Sequence, residues 1–183
     1  MRGAIFALYG LLALAFADKP AQQCTAPSGQ PCLDDGAAQK VAQNFRSLIS
    51  NYSNDTANAV LSPNFTDHSD GLATLMNNGC PSGAETLGQA TVTSREEYMA
   101  AQSTQPNIPF NIMNVWHNCN TVIMRWQSPE AAKAVQPVAL VTGLVVMEVC
   151  QGGGQEPWII ETVYAEFNSG AWLYDLGIFK PQC

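Results

Sequence analysis

Charge is scarce in this 183-residue chain, where Asp, Glu, Lys and Arg make up 13% against 46% hydrophobic residues. That balance excludes a disordered chain, which lacks the apolar surface needed to offset its ordering entropy. Basic residues are scarcer still, 8 against 15 acidic, for a net charge of −7. A surface of that sign repels a phosphate backbone, so nucleic acid is not an expected partner. Histidine is nearly missing: His68 and His117 are the two, and neither stands in a metal-ligand pattern. No cysteine pair has the C-x-x-C spacing of zinc or redox centres. No Gly-x-Ser-x-Gly elbow, Walker-type loop or dinucleotide fingerprint occurs. Gly152-Gly153-Gly154 leads into Gln-Glu-Pro rather than a helix start and reads as a hairpin loop. The sequence therefore calls for no metal and no cofactor. Long apolar runs are lacking beyond the N-terminus. Val138–Val149 is the most hydrophobic stretch, and Gly143 and Glu148 break it, so no membrane span is expected once a signal is removed.

What is present starts with an entry signal. Met1-Arg2 gives a positive start, Ala4–Phe16 an apolar stretch too short to span a bilayer, and Ala15-Phe16-Ala17 a cleavage pattern. Residues 1–17 are read as a signal peptide and the mature chain as secreted. The end of the chain, Phe179-Lys180-Pro181-Gln182-Cys183, lacks the tail of a lipid-anchor signal. Three glycosylation sequons, at Asn51, Asn54 and Asn64, mark one exposed edge. Cysteines stand at 24, 32, 80, 119, 150 and 183. In an oxidising compartment an even count reads as disulfides, but spacing does not choose among the pairings. A bridge at Cys183 is expected, because it would hold the chain's last segment.

Residues 18–31 form a Pro- and Gln-rich arm without apolar period, and residues 32–183 form one domain. Val41, Phe45, Leu48, Ile49 and Tyr52 recur at helical spacing, predicting a helix over Asp35–Tyr52. A second short helix is read over Asp55–Leu61, stopped before Pro63. Asn64–Asp70 reads as extended, and Leu72–Met76 follows it. A long loop then occupies residues 77–92, and Ser94-Arg95-Glu96-Glu97 opens a third helix running to about Gln102. After Pro109 the period switches to two. Phe110–Trp116, Thr121–Gln127, Val138–Val149, Trp158–Phe167 and Ala171–Phe179 read as five strands with short connections, which favour antiparallel neighbours. Helices first and strands after them predict an α+β domain.

Several segments carry a resemblance: Cys32-Leu33-Asp34-Asp35, Asn64-Phe65-Thr66-Asp67-His68-Ser69-Asp70, Ile108-Pro109-Phe110, Val115-Trp116-His117, and Thr162 to Trp172. With the order of elements, they resemble secreted fungal proteins with a nuclear transport factor 2-like domain, of the SnoaL-like and scytalone dehydratase-like superfamily. The resemblance implies a cone: about three N-terminal helices packed on a strongly bent, mostly antiparallel sheet. It also implies an apolar pocket for a small ligand and a homodimer through the outer sheet face. Superfamily members include cofactor-free dehydratases and isomerases, polyketide cyclases and catalytically silent association domains.

Two functions compete on these residues. One is binding of a small apolar ligand or a partner in the cone pocket, without chemistry. The tryptophans and Met113, Met124 and Met147 read first as core; as a pocket lining, Phe45, Trp116, Met124 and Trp126 are the candidates. The other is a dehydratase or isomerase acting on a polyketide-like or aromatic substrate. A histidine held by a carboxylate can take a proton near neutral pH. On an extended segment Asp67 and Ser69 face one way and His68 and Asp70 the other, so His68 with Asp70 or Glu166 is the expected pair, with Tyr164 orienting the substrate. Thr162, Tyr164 and Glu166 share one strand face, and alternation alone leaves open which face is concave. His117 reads as a hairpin-rim residue bonding loop backbone. Asp175, on the expected last strand, is matched with Arg125 as a structural ion pair.

Overall fold

A computed structural model describes residues 31–182. The expected signal peptide, all of the arm but Pro31, and Cys24 and Cys183 lie outside the described residues.

The long helix α1 (Asp35–Ser50) begins where the Asp34 carboxylate accepts the Ala37 N–H at 2.7 Å. It buries Ala38, Val41, Ala42, Phe45 and Leu48, the spacing of one helical face. Ser53 caps α2 (Asn54–Val60), and β1 (Leu61–His68) follows at once. Ser69 then caps a helix that sequence periodicity left undefined, α3 (Asp70–Met76). Inside the expected loop lies a short strand, β2 (Ala90–Val92). Ser94 caps α4 (Arg95–Gln102) as expected; Glu97 reaches back to the Thr93 N–H at 2.7 Å. Four strands complete the sheet: β3 (Asn111–His117), β4 (Thr121–Ser128), β5 (Val141–Gln151) and β6 (Trp158–Phe167).

The last element corrects the sequence reading. Ala171–Phe179 is not a strand; residues Ser169–Asp175 form a helix, α5. Asn168, read as part of a hairpin turn, accepts the Ala171 N–H at 3.0 Å and caps it. Gly177 (φ +73°) ends it, and the Ile178 N–H donates to the Leu173 carbonyl at 3.0 Å. An Asn cap and a left-handed glycine bracket a helix. A run as short and aromatic as Trp172–Leu176 fits either period, so those brackets were the usable signal.

The six strands form one sheet in the order β2-β1-β6-β5-β4-β3. Neighbours are antiparallel except β1 and β6, which run parallel because α3, β2, α4 and the β3–β5 strands intervene. Bulges at Ile112/Asn114 and Glu148/Val149 bend the strands that carry them. The inner face carries Phe65, Val122, Met124, Trp126, Val145, Met147 and Val163, all buried under α1 and α4. Aromatic rings run through this layer. Phe110 lies edge-on to Phe45 at 6.3 Å and stacks on Trp126 at 4.3 Å, and Phe167 joins Trp126 to Trp172. Each fully buried ring of this size contributes about 1.5–3 kcal/mol. Gly143 makes room for that layer: a Cβ there would stand 2.8 Å from the Trp126 indole nitrogen and 2.6 Å from the Glu166 carbonyl.

A disulfide joins Cys32 to Cys119, fastening the start of α1 to the β3–β4 turn. Cys150 is also disulfide-bonded, and Cys80 is an exposed free thiol. Asn51, Asn54 and Asn64 are all exposed. No described helix is long and apolar enough to cross a membrane.

Candidate functional site

The alternation of β1 sorts its two best acid–base candidates onto opposite faces. Phe65 and Asp67 point inward, at 0% and 7% exposure, and Thr66 and His68 point outward. On that outer face the His68 ring stacks on Tyr164 at 5.2 Å, and the Thr66 hydroxyl donates to that of Thr162 at 3.2 Å. Tyr164 is exposed. The face shared by Thr162, Tyr164 and Glu166 is therefore the outer one, and no carboxylate among the described residues hydrogen-bonds His68.

The carboxylates expected beside His68 are committed elsewhere. Glu166 accepts the backbone N–H groups of Asp70 (2.9 Å) and Gly71 (3.1 Å), closing the first turn of α3. A carboxylate there satisfies orphan donors and complements the helix dipole. Asp70 does not continue the strand; it starts α3, and its carboxylate accepts the Gly88 N–H at 2.6 Å. The pairing of His68 with Asp70 or Glu166 is thus not assembled, because the chain turns into a helix two residues after His68.

Asp67 is the buried acid that the strand alternation pointed past. It lies between β2 and β6, opposite Val92 and Val163. Its Oδ1 is buried without a hydrogen-bond partner. Burial, reinforced by the Glu166 charge, pushes its carboxyl up from 3.8 to about 7, a shift of the kind seen in general acids and bases. Above it stands Tyr98 of α4, packed edge-on against Phe65 at 5.4 Å. The Tyr98 hydroxyl donates to the Leu48 carbonyl at 3.4 Å, and burial and then the Asp67 charge raise its pKa above the ordinary tyrosine value.

The expected lining residues do not form one group. Phe45, Met124 and Trp126 belong to the packed core, at 5%, 0% and 3% exposure, and the Trp126 indole N–H is buried without a partner. Trp116 stands on the outer face, half exposed. There it begins a row of register neighbours, Trp116–Ile123–Val146–Tyr164–His68, crossing five strands. Leu144 and Met113 stand exposed on the same side.

Asp175 is wholly buried in α5, where it accepts the Ala139 N–H at 2.6 Å. Arg125 lies on the outer face between Asn114 and Leu144, so the ion pair expected between them is not made. His117 occupies the hairpin rim as expected: Nδ1 meets the Asn118 carbonyl at 3.1 Å and Nε2 meets the Asp35 carboxylate at 3.0 Å. Those bonds, the Asp35 one foremost, raise its imidazole above the usual value. No group of three or more His, Cys, Asp or Glu among the described residues could hold a metal ion. A surface groove of about 420 Å³ lies between the start of α1 and the β5–β6 hairpin.

The profile of the NTF2-like domain matches residues 31–179. The chain belongs to the NTF2-like domain family. No functionally curated protein matches it. Solved structures show the same fold at low identity. A candidate ketosteroid isomerase from Kribbella flavida DSM 17836 is 10% identical with a TM-score of 0.51, over 73% of this chain and 78% of that one. IdmH, a candidate polyketide cyclase from Streptomyces antibioticus, is 14% identical with a TM-score of 0.53, over 76% and 98%. A SnoaL-like protein of unknown function from Burkholderia thailandensis is 13% identical with a TM-score of 0.50, over 76% and 99%. At these identities the NTF2-like likeness is one of fold, and fold does not carry activity.

Proposed function

We propose that this NTF2-like domain is a secreted binding protein of fungal type, taking a small, largely apolar ligand inside the cone and performing no chemistry on it. The observation that carries the reading is the buried Asp67 Oδ1, left without a partner among apolar side chains. An unmet buried acceptor costs about 1–3 kcal/mol, and a ligand hydroxyl or amide donating to it removes that cost. The recognition chemistry is one donor on an apolar body, placed where α4 and β2 close over β1. Binding rather than turnover follows from the isolation of Asp67. His68 faces away, Glu166 and Asp70 hold backbone N–H groups, and Tyr98 bonds the Leu48 carbonyl. A homodimer through the outer face, on the Trp116–Tyr164 row, is part of the same proposal.

The test is a thermal-shift screen of sterols, fatty acids and aromatic polyketides, followed by native mass spectrometry of the hits. A hit that raises the melting temperature of the wild type, and does so far less for Asp67→Ala, supports the reading. A screen without any hit, together with purified protein that carries no retained molecule, overturns it.

A second reading has its own observation: the carboxyl of Asp67, pushed up to about 7, suits a base that takes and returns a proton next to a carbonyl. A cofactor-free isomerase or dehydratase built on Asp67 would replace the one expected of His68, Asp70, Tyr164 and Glu166. A β,γ-unsaturated ketone, whose conjugated product absorbs in the ultraviolet, is the probe. Turnover rising through pH 7 and abolished in Asp67→Asn favours this reading; no turnover at any pH removes it.

A further inference from the structure

We propose that two copies of this chain pair their outer sheet faces about a two-fold axis lying along the apolar row, so that Arg125 of each copy meets Glu148 of the other. The inference rests on the homodimer reading and adds to it the direction of the axis and the charge pair that sets it.

Strand register arranges the outer face in rows. The apolar row Trp116–Ile123–Val146–Tyr164–His68 is the middle one. Arg125 and Leu144 flank it on one side, with Glu166 beyond them. Thr121, Glu148 and Thr162 flank it on the other. Arg125 and Glu148 are exposed, and neither makes a hydrogen bond or ion pair among the described residues. They do not reach each other within one chain. Arg125 stands opposite Leu144, four residues along β5 from Glu148, which is about 13 Å. Glu166, the other charge in these rows, already holds the Asp70 and Gly71 N–H groups. The strip thus has one unpaired cation on one flank and one unpaired anion on the other.

A closed dimer is isologous: one patch meets its own copy about a two-fold axis. Burying the apolar row requires the two middle rows to meet, and two axis directions in the plane of contact allow that. An axis along the strands lays each flank on its own copy, bringing Arg125 towards Arg125 and Glu148 towards Glu148. An axis along the row exchanges the flanks. Glu148 of the second copy then lies over Leu144, one strand away from Arg125. With sheets about 10 Å apart and strands about 4.8 Å apart, the two α-carbons stand about 11 Å from each other. Arginine and glutamate side chains pointing towards each other close that gap, and the symmetry makes the contact twice. Like charges facing across an interface are costly and opposite charges fix its register, so the charge pattern selects the row axis. The same axis sets Trp116, Ile123, Val146 and Tyr164 against their own copies.

The test is charge reversal followed by mixing, read by sedimentation equilibrium and native mass spectrometry. Arg125→Glu and Glu148→Arg, each alone, place like charges together at both contacts. Each should raise the dimer dissociation constant by about tenfold or more. In an equimolar mixture every heterodimer regains two contacts of opposite charge, and its affinity should return to that of the wild type. The double variant Arg125→Glu/Glu148→Arg should dimerise by itself. If a reversed charge prevents folding, Arg125→Gln and Glu148→Gln take its place. Each should weaken the dimer about threefold, and their mixture, which keeps one contact, should be tighter than either alone. A wild-type dimer whose variants stay dimeric, or whose mixture is no tighter than the single variants, overturns this axis and leaves the dimer standing. A monomeric wild type overturns both.

Discussion

Asp67 and His68 are consecutive on β1, yet they live in different solvents. The Asp67 carboxyl is 7% exposed, has an oxygen without a partner and is pushed up to about 7 by burial. The His68 ring lies on the outer face against an exposed tyrosine. The same contrast runs across the whole sheet. Its inner face is a filled aromatic and aliphatic layer, and its outer face carries an apolar row open to water. Facing inward is what gives the Asp67 carboxyl its unusual acidity. Searching for a histidine beside a carboxylate in the sequence looks for reactivity in residue type, when the sheet confers it by orientation.

The contrast can be broken most severely from the inside. Trp126→Ala removes a ring stacked on Phe110 and touching Phe167, and should destabilise the fold by about 3–5 kcal/mol in urea denaturation. A loss below about 1 kcal/mol would mean that the inner face is loosely filled.

Asp67 offers a sharper test because its effect has a sign in pH. The folded state raises this carboxyl from 3.8 to about 7, so the folded form holds the proton where the unfolded form has lost it. The contribution is fully present below the unfolded value and disappears as pH rises through about 7. The slope is about 1.4 kcal/mol per pH unit between those values, roughly 4 kcal/mol in all. Unfolding free energies at pH 5 and pH 8 should therefore differ more in the wild type than in Asp67→Asn. The variant should be the more stable protein at pH 8. Equal pH slopes in the two proteins would place Asp67 in water.

Glu166 bridges the two environments, standing on the outer face but binding the first turn of α3. Glu166→Gln should cost about 1 kcal/mol, as loss of a helix-capping carboxylate does. It should also lower the pH at which Asp67 titrates, read from the carboxyl chemical shift, because the Glu166 charge is one of the causes holding it up.

The outer face should respond least. His68→Ala and Tyr164→Ser should each change stability by less than about 0.5 kcal/mol. Trp116→Arg should leave the fold intact and shift size-exclusion elution from dimer to monomer if the row is the dimer face. A monomeric wild type removes that part of the proposal.

Much of the fold was readable residue by residue. The 3.6-residue spacing from Val41 to Leu48 places α1, Ser94 with Glu97 starts α4, and β6 spans Trp158–Phe167 as its alternation predicts. The misreadings share a physical cause. Residues 90–92 and 169–175 are too short to display a period, and the Asn168 and Gly177 brackets of α5 resemble turn residues until their hydrogen bonds are seen. The candidate site was less legible. Its best residue, Asp67, was visible as one of two neighbours with opposite orientations, but alternation cannot say which of two faces is concave.

By itself, then, the sequence determined the class of fold and the residues that could titrate, because composition, periodicity and capping are local properties; the NTF2-like family came from the resemblance of its segments and the family match. Only the tertiary structure decided that Asp67 is buried while His68, Asp70, Tyr164 and Glu166 serve the outer face and the caps. Facing is set by how β1 docks between β2 and β6, and those contacts join residues about a hundred positions apart in the chain.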